Sequence, residues 1–241
     1  MSTVIRTTKD AGAINATTYN WNGTDQHHPC GTGVSPTYYP HRSVIYFPLS
    51  FAGVTGIASA VLNLRGSKSG ASHCAGDGSS KTMYVRRQLY SWGEGSVNAE
   101  GIWTNQTWDW TTLTHYTTTH QATKSFPSGI TDGTWYTVDI TDIVKDWFNG
   151  LPNYGIVLVN STEAQTSGGA ADGVEFYARE KGLSYAPYIT LTVVTNSAPN
   201  APTGLYPTGN AVVSSLTPTL SGNFSDPDAG DTMSAFQILA Y

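Results

Sequence analysis

The chain has 241 residues, with 12 Lys+Arg against 17 Asp+Glu and a formal net charge of −5. Only 12% of its residues are charged and 12% are aromatic, beside 25 Gly and 12 Pro. This profile excludes a coiled coil or helical bundle, which needs far more Glu, Lys, Arg and Leu, and a disordered tail, which carries few aromatics. It also offers no basic stripe to follow a phosphate backbone, so no nucleic-acid partner is expected.

The opening decapeptide has no apolar core of a secretory signal, and the longest apolar run, residues 156–159, falls far short of a membrane span. A surface rich in Thr, Ser, Asn, Gly and Tyr is nonetheless that of an extracellular or virion protein. The combination suggests cytoplasmic assembly followed by lysis, with a truncated secreted protein as the alternative. A long loop holding Trp21, Cys30, Tyr38 and Tyr39 precedes the first clear strand. Period-two, β-branched and aromatic segments then predict strands at 43–49, 58–65, 82–89, 135–140, 154–159, 174–178 and 188–193, an all-β pattern. The segment 154–159 is apolar on both faces and reads as a central strand. Ile140, Ile143, Val144, Trp147 and Phe148 fall instead on one helical stripe. They predict a short helix near 141–149, capped by Asp139 or Thr141 and ended by Gly150, lying as a lid on one end of a sandwich. A Pro-rich linker at 195–202 leads to short strands at 203–209 and 216–220, about 40 residues that read as the start of a second β domain, 203–241.

Several of these residues form a known pattern. His41-Arg-Ser-Val-Ile-Tyr-Phe-Pro-Leu49, Ile57-Ala-Ser-Ala-Val-Leu-Asn-Leu64, Val85-Arg-Arg, Trp92-Gly-Glu94 with Trp103, the run Asp139-Ile-Thr…Trp147, Asn153-Tyr-Gly155 and Tyr185-Ala-Pro-Tyr-Ile-Thr-Leu191 together resemble the DNRLRE-type domain over residues 1–194. The resemblance implies a jelly-roll β-sandwich, grouped with carbohydrate-binding modules and non-catalytic. The chain departs from the pattern between Thr104 and Phe126, where Trp108, Trp110 and a Thr-rich stretch read as an insertion. The tail, with Ser225-Asp-Pro-Asp-Ala-Gly-Asp231, is similar to the fibronectin-III-like or Ig-like repeats of phage tail proteins. The two modules together resemble a minor tail protein.

No catalytic motif is present: no Gly-x-Ser-x-Gly, no His-Glu-x-x-His, no phosphate-cradling Gly loop beside a Lys. Glu94, Glu100, Asp109, Asp139, Asp142 and Asp146 are available as paired acids, but spacing alone does not bring them together. Asp226, Asp228 and Asp231 suggest a calcium loop without the EF-hand spacing, and an Asp-Pro turn is the simpler explanation. Aromatic platforms stack on sugar rings. Trp108 and Trp110, which would share one face of a strand, and Trp21, Tyr38 and Tyr39 in the early loop, are the carbohydrate-binding candidates; packing against a loop or a neighbouring subunit is the alternative. Trp92, Trp103, Trp135 and Trp147 are assigned to the core.

The expected function is a non-enzymatic structural or adhesion component of a virion tail, oligomeric there and engaging other tail proteins or host cell-wall glycan. An accessory carbohydrate-binding module of a secreted polysaccharide-processing enzyme is the alternative. The only two cysteines, Cys30 and Cys74, would meet if strands 43–49 and 58–65 paired as a hairpin, since their loops would then share one end. Three arrangements are open: a disulfide, which suits an extracellular particle; a zinc site drawing on His27, His28, Cys30, His73 and Cys74; or two unrelated thiols.

Overall fold

The computed structural model describes residues 1–14, 20–21, 27–32, 40–68, 81–94, 96–97, 103–104, 114–161, 163, 172–209, 211–228 and 231–233. Among them the strands are β1 (Ser2–Arg6), β2 (Lys9–Ile14), β3 (Asn20–Trp21), β4 (His27–Thr32), β5 (Pro40–Tyr46), β6 (Val54–Arg65), β7 (Lys81–Gln88), β8 (Ser96–Val97), β9 (Trp103–Thr104), β10 (Tyr116–Phe126), β11 (Trp135–Asp139), β12 (Ile156–Asn160), β13 (Asp172–Tyr177) and β14 (Tyr188–Thr195), then β15 (Thr203–Tyr206) and β16 (Ser221–Asn223). One helix, α1 (Thr141–Phe148), follows β11.

Contacts divide the chain into two units, Met1–Ala52 with Gly56–Val194, and Gly53–Thr55 with Thr195–Tyr241. The first is an all-β sandwich with one short helix. Its smaller sheet runs β1-β14-β6-β11, and its larger runs β10-β7-β12-β5-β2-β3, with β4 joined to β5 and β13 to β4. β1 with β14, β11 with β6, and every pair of the larger sheet run antiparallel. Apolar alternation explains the layers. Ala60, Leu62 and Leu64 of β6, Val138 of β11 and Ile189 and Leu191 of β14 are buried on one side. Ile45, Met83, Val85, Ile156 and Leu158 are buried in the larger sheet, and Phe126 and Phe176 join the core through edge contacts with Tyr136. The segment expected to be central is so: β12 lies between β7 and β5, with all five residues buried.

The expected hairpin between 43–49 and 58–65 is not formed. β5 belongs to the larger sheet and β6 to the smaller, so the chain crosses between layers at 47–53. The physical reason is edge occupancy. β5 has β2 on one side and β12 and β4 on the other, while β6 is taken by β14 and β11. The Thr-rich stretch has a defined place in the sheet. Residues 116–126 form β10, the edge partner of β7. Trp21 belongs to a strand, β3, paired with Gly12, and Trp135 is 37% exposed, edge-on to Tyr188, and not core.

α1 buries Ile143, Val144 and Trp147, and Phe148 packs edge-on against Phe51 at 5.6 Å. The N-cap position is Ile140, which makes no side-chain cap bond, and the expected Asp139 satisfies the first helical amide from one position further out. Asp139 accepts from the amide (2.9 Å) and hydroxyl (2.6 Å) of Thr141. The Thr141 hydroxyl in turn accepts from the Ala60 amide at 2.9 Å, fastening the helix start to β6. At the other end Gly150, at φ +96°, donates to Trp147 O and Leu151 donates to Asp146 O. This is the Schellman arrangement that a left-handed residue permits.

In the second unit β15 pairs with β16. The strand expected at 216–220 lies instead at Ser221–Asn223, and Leu205, Val212, Leu216 and Leu220 are exposed.

Candidate functional site

Two polar constellations are built into the sandwich. The first explains the Trp92-x-Glu94 and Asn153-Tyr-Gly155 segments. Gly155 has φ +93°, and a Cβ there would lie 2.3 Å from Ile45 O, so only glycine lets β12 enter against β5. Asn153 Nδ2 donates to Phe47 O at 2.9 Å, and the buried Trp92 indole donates to Tyr154 O at 2.7 Å. Lys9 Nζ lies 3.9 Å from the centre of the Trp92 ring and donates to Trp92 O. Burial lowers its pKa against the opposing pull of Glu94.

Beside this anchor lies a charged cluster. The Asp10 amide donates to Glu94 Oε1 at 2.8 Å. Arg179, past the end of β13, sets Nη2 on Glu94 Oε2 at 2.7 Å and Nε 2.9 Å from Glu180 Oε1 and 3.4 Å from Asp10 Oδ1. His28 Nε2 stands 3.1 Å from Asp10 Oδ2. Burial pushes the Asp10 carboxyl up, yet His28 and Arg179 outweigh it and leave its pKa lowered. Burial raises Glu94 despite the Asp10 amide and Arg179. Burial, with the charge of Asp10, pushes Glu180 up to about 8. The carboxylate oxygens of Asp10, Glu94 and Glu180 lie within 4.8 Å of one another, and the Arg179 guanidinium already supplies their cation. The cluster is therefore a clasp joining β2, β4, the segment after β7 and the end of β13.

The second constellation opens to solvent. A cleft of about 500 Å³ is lined by Ala58, Ser59, His120, Gln121, Asp139, Thr141, Asp142 and Lys145 among others. A β-bulge makes one wall. Thr117 pairs with Arg87 and Ala122 with Val85, so 118–121 leave the ladder, and His120 takes φ +57°, a left-handed conformation that a non-glycine residue adopts at a cost. Its Nδ1 lies 3.0 Å from Oδ1 of the buried Asp146, whose Oδ2 accepts from Arg87 Nε at 3.2 Å. The α1 start makes the other wall, where the two Thr141 hydrogen bonds hold the Asp139 carboxyl below its ordinary pKa and Lys145 sits 3.5 Å from Asp142.

The outer face of the larger sheet carries a stack the sequence reasoning missed. The guanidinium of Arg86 lies 4.8 Å from the Tyr84 ring and 4.6 Å from Tyr116, and that of Arg42 lies 5.1 Å from Tyr116. The period-two spacing of Tyr84 and Arg86 carries its signal, but Arg42 and Tyr116 arrive only through sheet pairing.

Of the carbohydrate-binding candidates, Trp108, Trp110, Tyr38 and Tyr39 lie outside the described residues, as does the side chain of Trp21. His73 and Cys74 also lie outside them. On β4, neighbouring residues alternate faces. His28 and Cys30 are buried, His28 is committed to Asp10, and the His27 ring meets Tyr177 at 5.5 Å. The carboxylates of Asp226, Asp228 and Asp231 do come together, within 4.8 Å. Asp226 accepts from the Asp228 amide at 2.8 Å, and Asp228 accepts from the amide and hydroxyl of Ser197, the bonding of a closed Asp turn. Of the acids considered, Asp139 and Asp142 share the cleft and Asp146 lies behind it, whereas Glu94 serves the clasp.

No family model matches the chain, and no curated protein is found similar to it. Among the described residues no helix is long and apolar enough to cross a membrane.

Proposed function

We propose that this chain is a non-catalytic adhesion and structural component of a phage virion tail, whose β-sandwich engages host-surface glycan. The observation that carries the glycan half is the cleft between the β10 bulge and α1. It combines hydroxyl, carboxylate, amide, imidazole and ammonium groups in about 500 Å³, a size and polarity suited to one or two sugar units. The virion half rests on the sequence: a weakly charged, Thr-, Ser- and Gly-rich surface, the DNRLRE-like segments and the repeat-like tail after a Pro-rich linker. Partners are other tail proteins and the host wall. Affinity per site is weak, and several copies on one particle raise it.

The chain, oligomerised on a streptavidin scaffold, should bind a subset of wall polysaccharides on a glycan array, and antibody against it should label the tails of virions of the source phage. Binding without virion labelling would support the secreted accessory module instead. Virion labelling without any glycan binding would leave a purely structural tail protein.

A further inference from the structure

The bulge in β10 is more elaborate than sheet closure requires. Between two consecutive register points β7 advances two residues while β10 advances five. The crest of this excursion carries a histidine in the left-handed region, where Gly or Asn would sit without comparable strain. The imidazole is about half exposed at its rim position, yet it is anchored from behind by a buried carboxylate that is itself held by a buried arginine. Asp146 can only accept, so Nδ1 carries the proton of neutral His120 and Nε2 presents a lone pair. Asp146 and Arg87 thus fix the tautomer, and no bond from Nε2 is found among the described residues.

We propose, resting on the glycan-binding function above, that His120 reads the ligand in this cleft: Nε2 accepts the proton of a saccharide hydroxyl, while Lys145 donates to a neighbouring sugar oxygen. The ligand class is a neutral saccharide offering a hydroxyl donor beside an acceptor. An anionic sugar would meet Asp139 and Asp142 on the same wall, against Lys145 alone. The charged groups around His120 are Asp142, Lys145 and Asp146 from α1, Asp139 from the end of β11, and Arg87 behind Asp146, while Arg86 on the outer face is engaged with Gln121 at 2.9 Å. A site built around one hydroxyl also rejects the analogue that lacks it far more strongly than it tolerates changes elsewhere.

The test uses the full chain with ¹⁵N-labelled histidine. Long-range ¹H–¹⁵N spectra should show His120 protonated at Nδ1, and its Nε2 resonance should move on titration with at least one of four probes, the methyl glycosides of glucose, galactose, N-acetylglucosamine and rhamnose. The deoxy analogue lacking the contacted hydroxyl should leave it unmoved. His120→Gly removes the imidazole while relieving the backbone, so its melting temperature should hold or rise while array binding falls at least tenfold. An Nε2 proton in the free protein, no Nε2 shift with any of the four probes, or full array binding by His120→Gly would each overturn the assignment, the last of these leaving glycan binding itself intact. An array on which the wild-type chain binds nothing would remove the parent function and this assignment together.

Discussion

Replacing Glu180 by Gln should flatten the loss of stability toward alkaline pH. The Glu180 carboxyl titrates near 8 in the folded chain against an ordinary value of 4.5. Below the ordinary value both states hold the proton and nothing is lost. Between the two values the unfolded state releases it and the folded state keeps it, so stability falls as pH rises. Above 8 both states are ionised and the loss is constant. At about 1.36 kcal/mol per unit the ceiling is roughly 5 kcal/mol, and the 15% of the side chain open to water reduces this to about 2 kcal/mol after screening. Gln reproduces the neutral carboxyl and keeps Oε1 as a partner for Arg179. Urea unfolding at pH 4, 6 and 9 measures the difference. Tryptophan fluorescence suits it, because all seven tryptophans lie between residues 21 and 147 and report the first unit alone. The variant should match wild type at pH 4 and exceed it by about 2 kcal/mol at pH 9. Parallel curves would mean that Glu180 is ordinary and that the clasp is not balanced as described.

Two further outcomes follow from the packing and one from the sequence. Trp147→Ala should cost about 3–5 kcal/mol in thermal or urea unfolding, toward the lower end because the indole Nε1 is buried without a hydrogen-bond partner among the described residues; a neutral result would place the helical stripe in solvent. Gly155→Ala forces a Cβ into Ile45 O and fixes an unfavourable φ, so a loss of about 2–5 kcal/mol is expected, and an unchanged urea midpoint would refute the close approach. Without the hairpin that would have brought their loops together, a Cys30–Cys74 disulfide remains an expectation of the sequence alone, worth about 2–4 kcal/mol if formed; intact mass after alkylation under denaturing, non-reducing conditions decides it, and two alkylated thiols would exclude the bridge.

What was legible in the sequence is what a local period can encode. The stripe from Ile140 to Phe148 gave the helix to within one residue, and alternation located β6, β7, β11, β12 and β14. β1 to β4 were missed because Thr, Ala, Gly and Asn carry no strong alternation, and β10 because an edge strand exposed along much of its length is written in Thr, His and Gln. Partner choice was illegible for a different reason. Residues 43–49 and 58–65 are adjacent and both β-forming, but which edges are free depends on β2, β12, β14 and β11, which come from the two ends and the middle of the chain.

The two polar constellations show the same divide in chemical terms. Trp92 and Glu94 were visible as a motif, while their meaning required Lys9, Asp10 and Arg179, some 85 positions away on either side. There most charged groups face one another within the protein, while Arg179 Nε and His28 Nδ1 are buried without a hydrogen-bond partner among the described residues. The cleft is arranged the other way. Asp146 and Arg87 saturate only the rear of His120, and Asp142 and Lys145 hold one another at a loose 3.5 Å, which leaves acceptors and donors facing water. Strain is tolerated at His120 and absent from the clasp, where no non-glycine residue has a positive φ. On the proposed function, the buried cluster is structural and the open cleft, with its strained histidine, is where a ligand would be met.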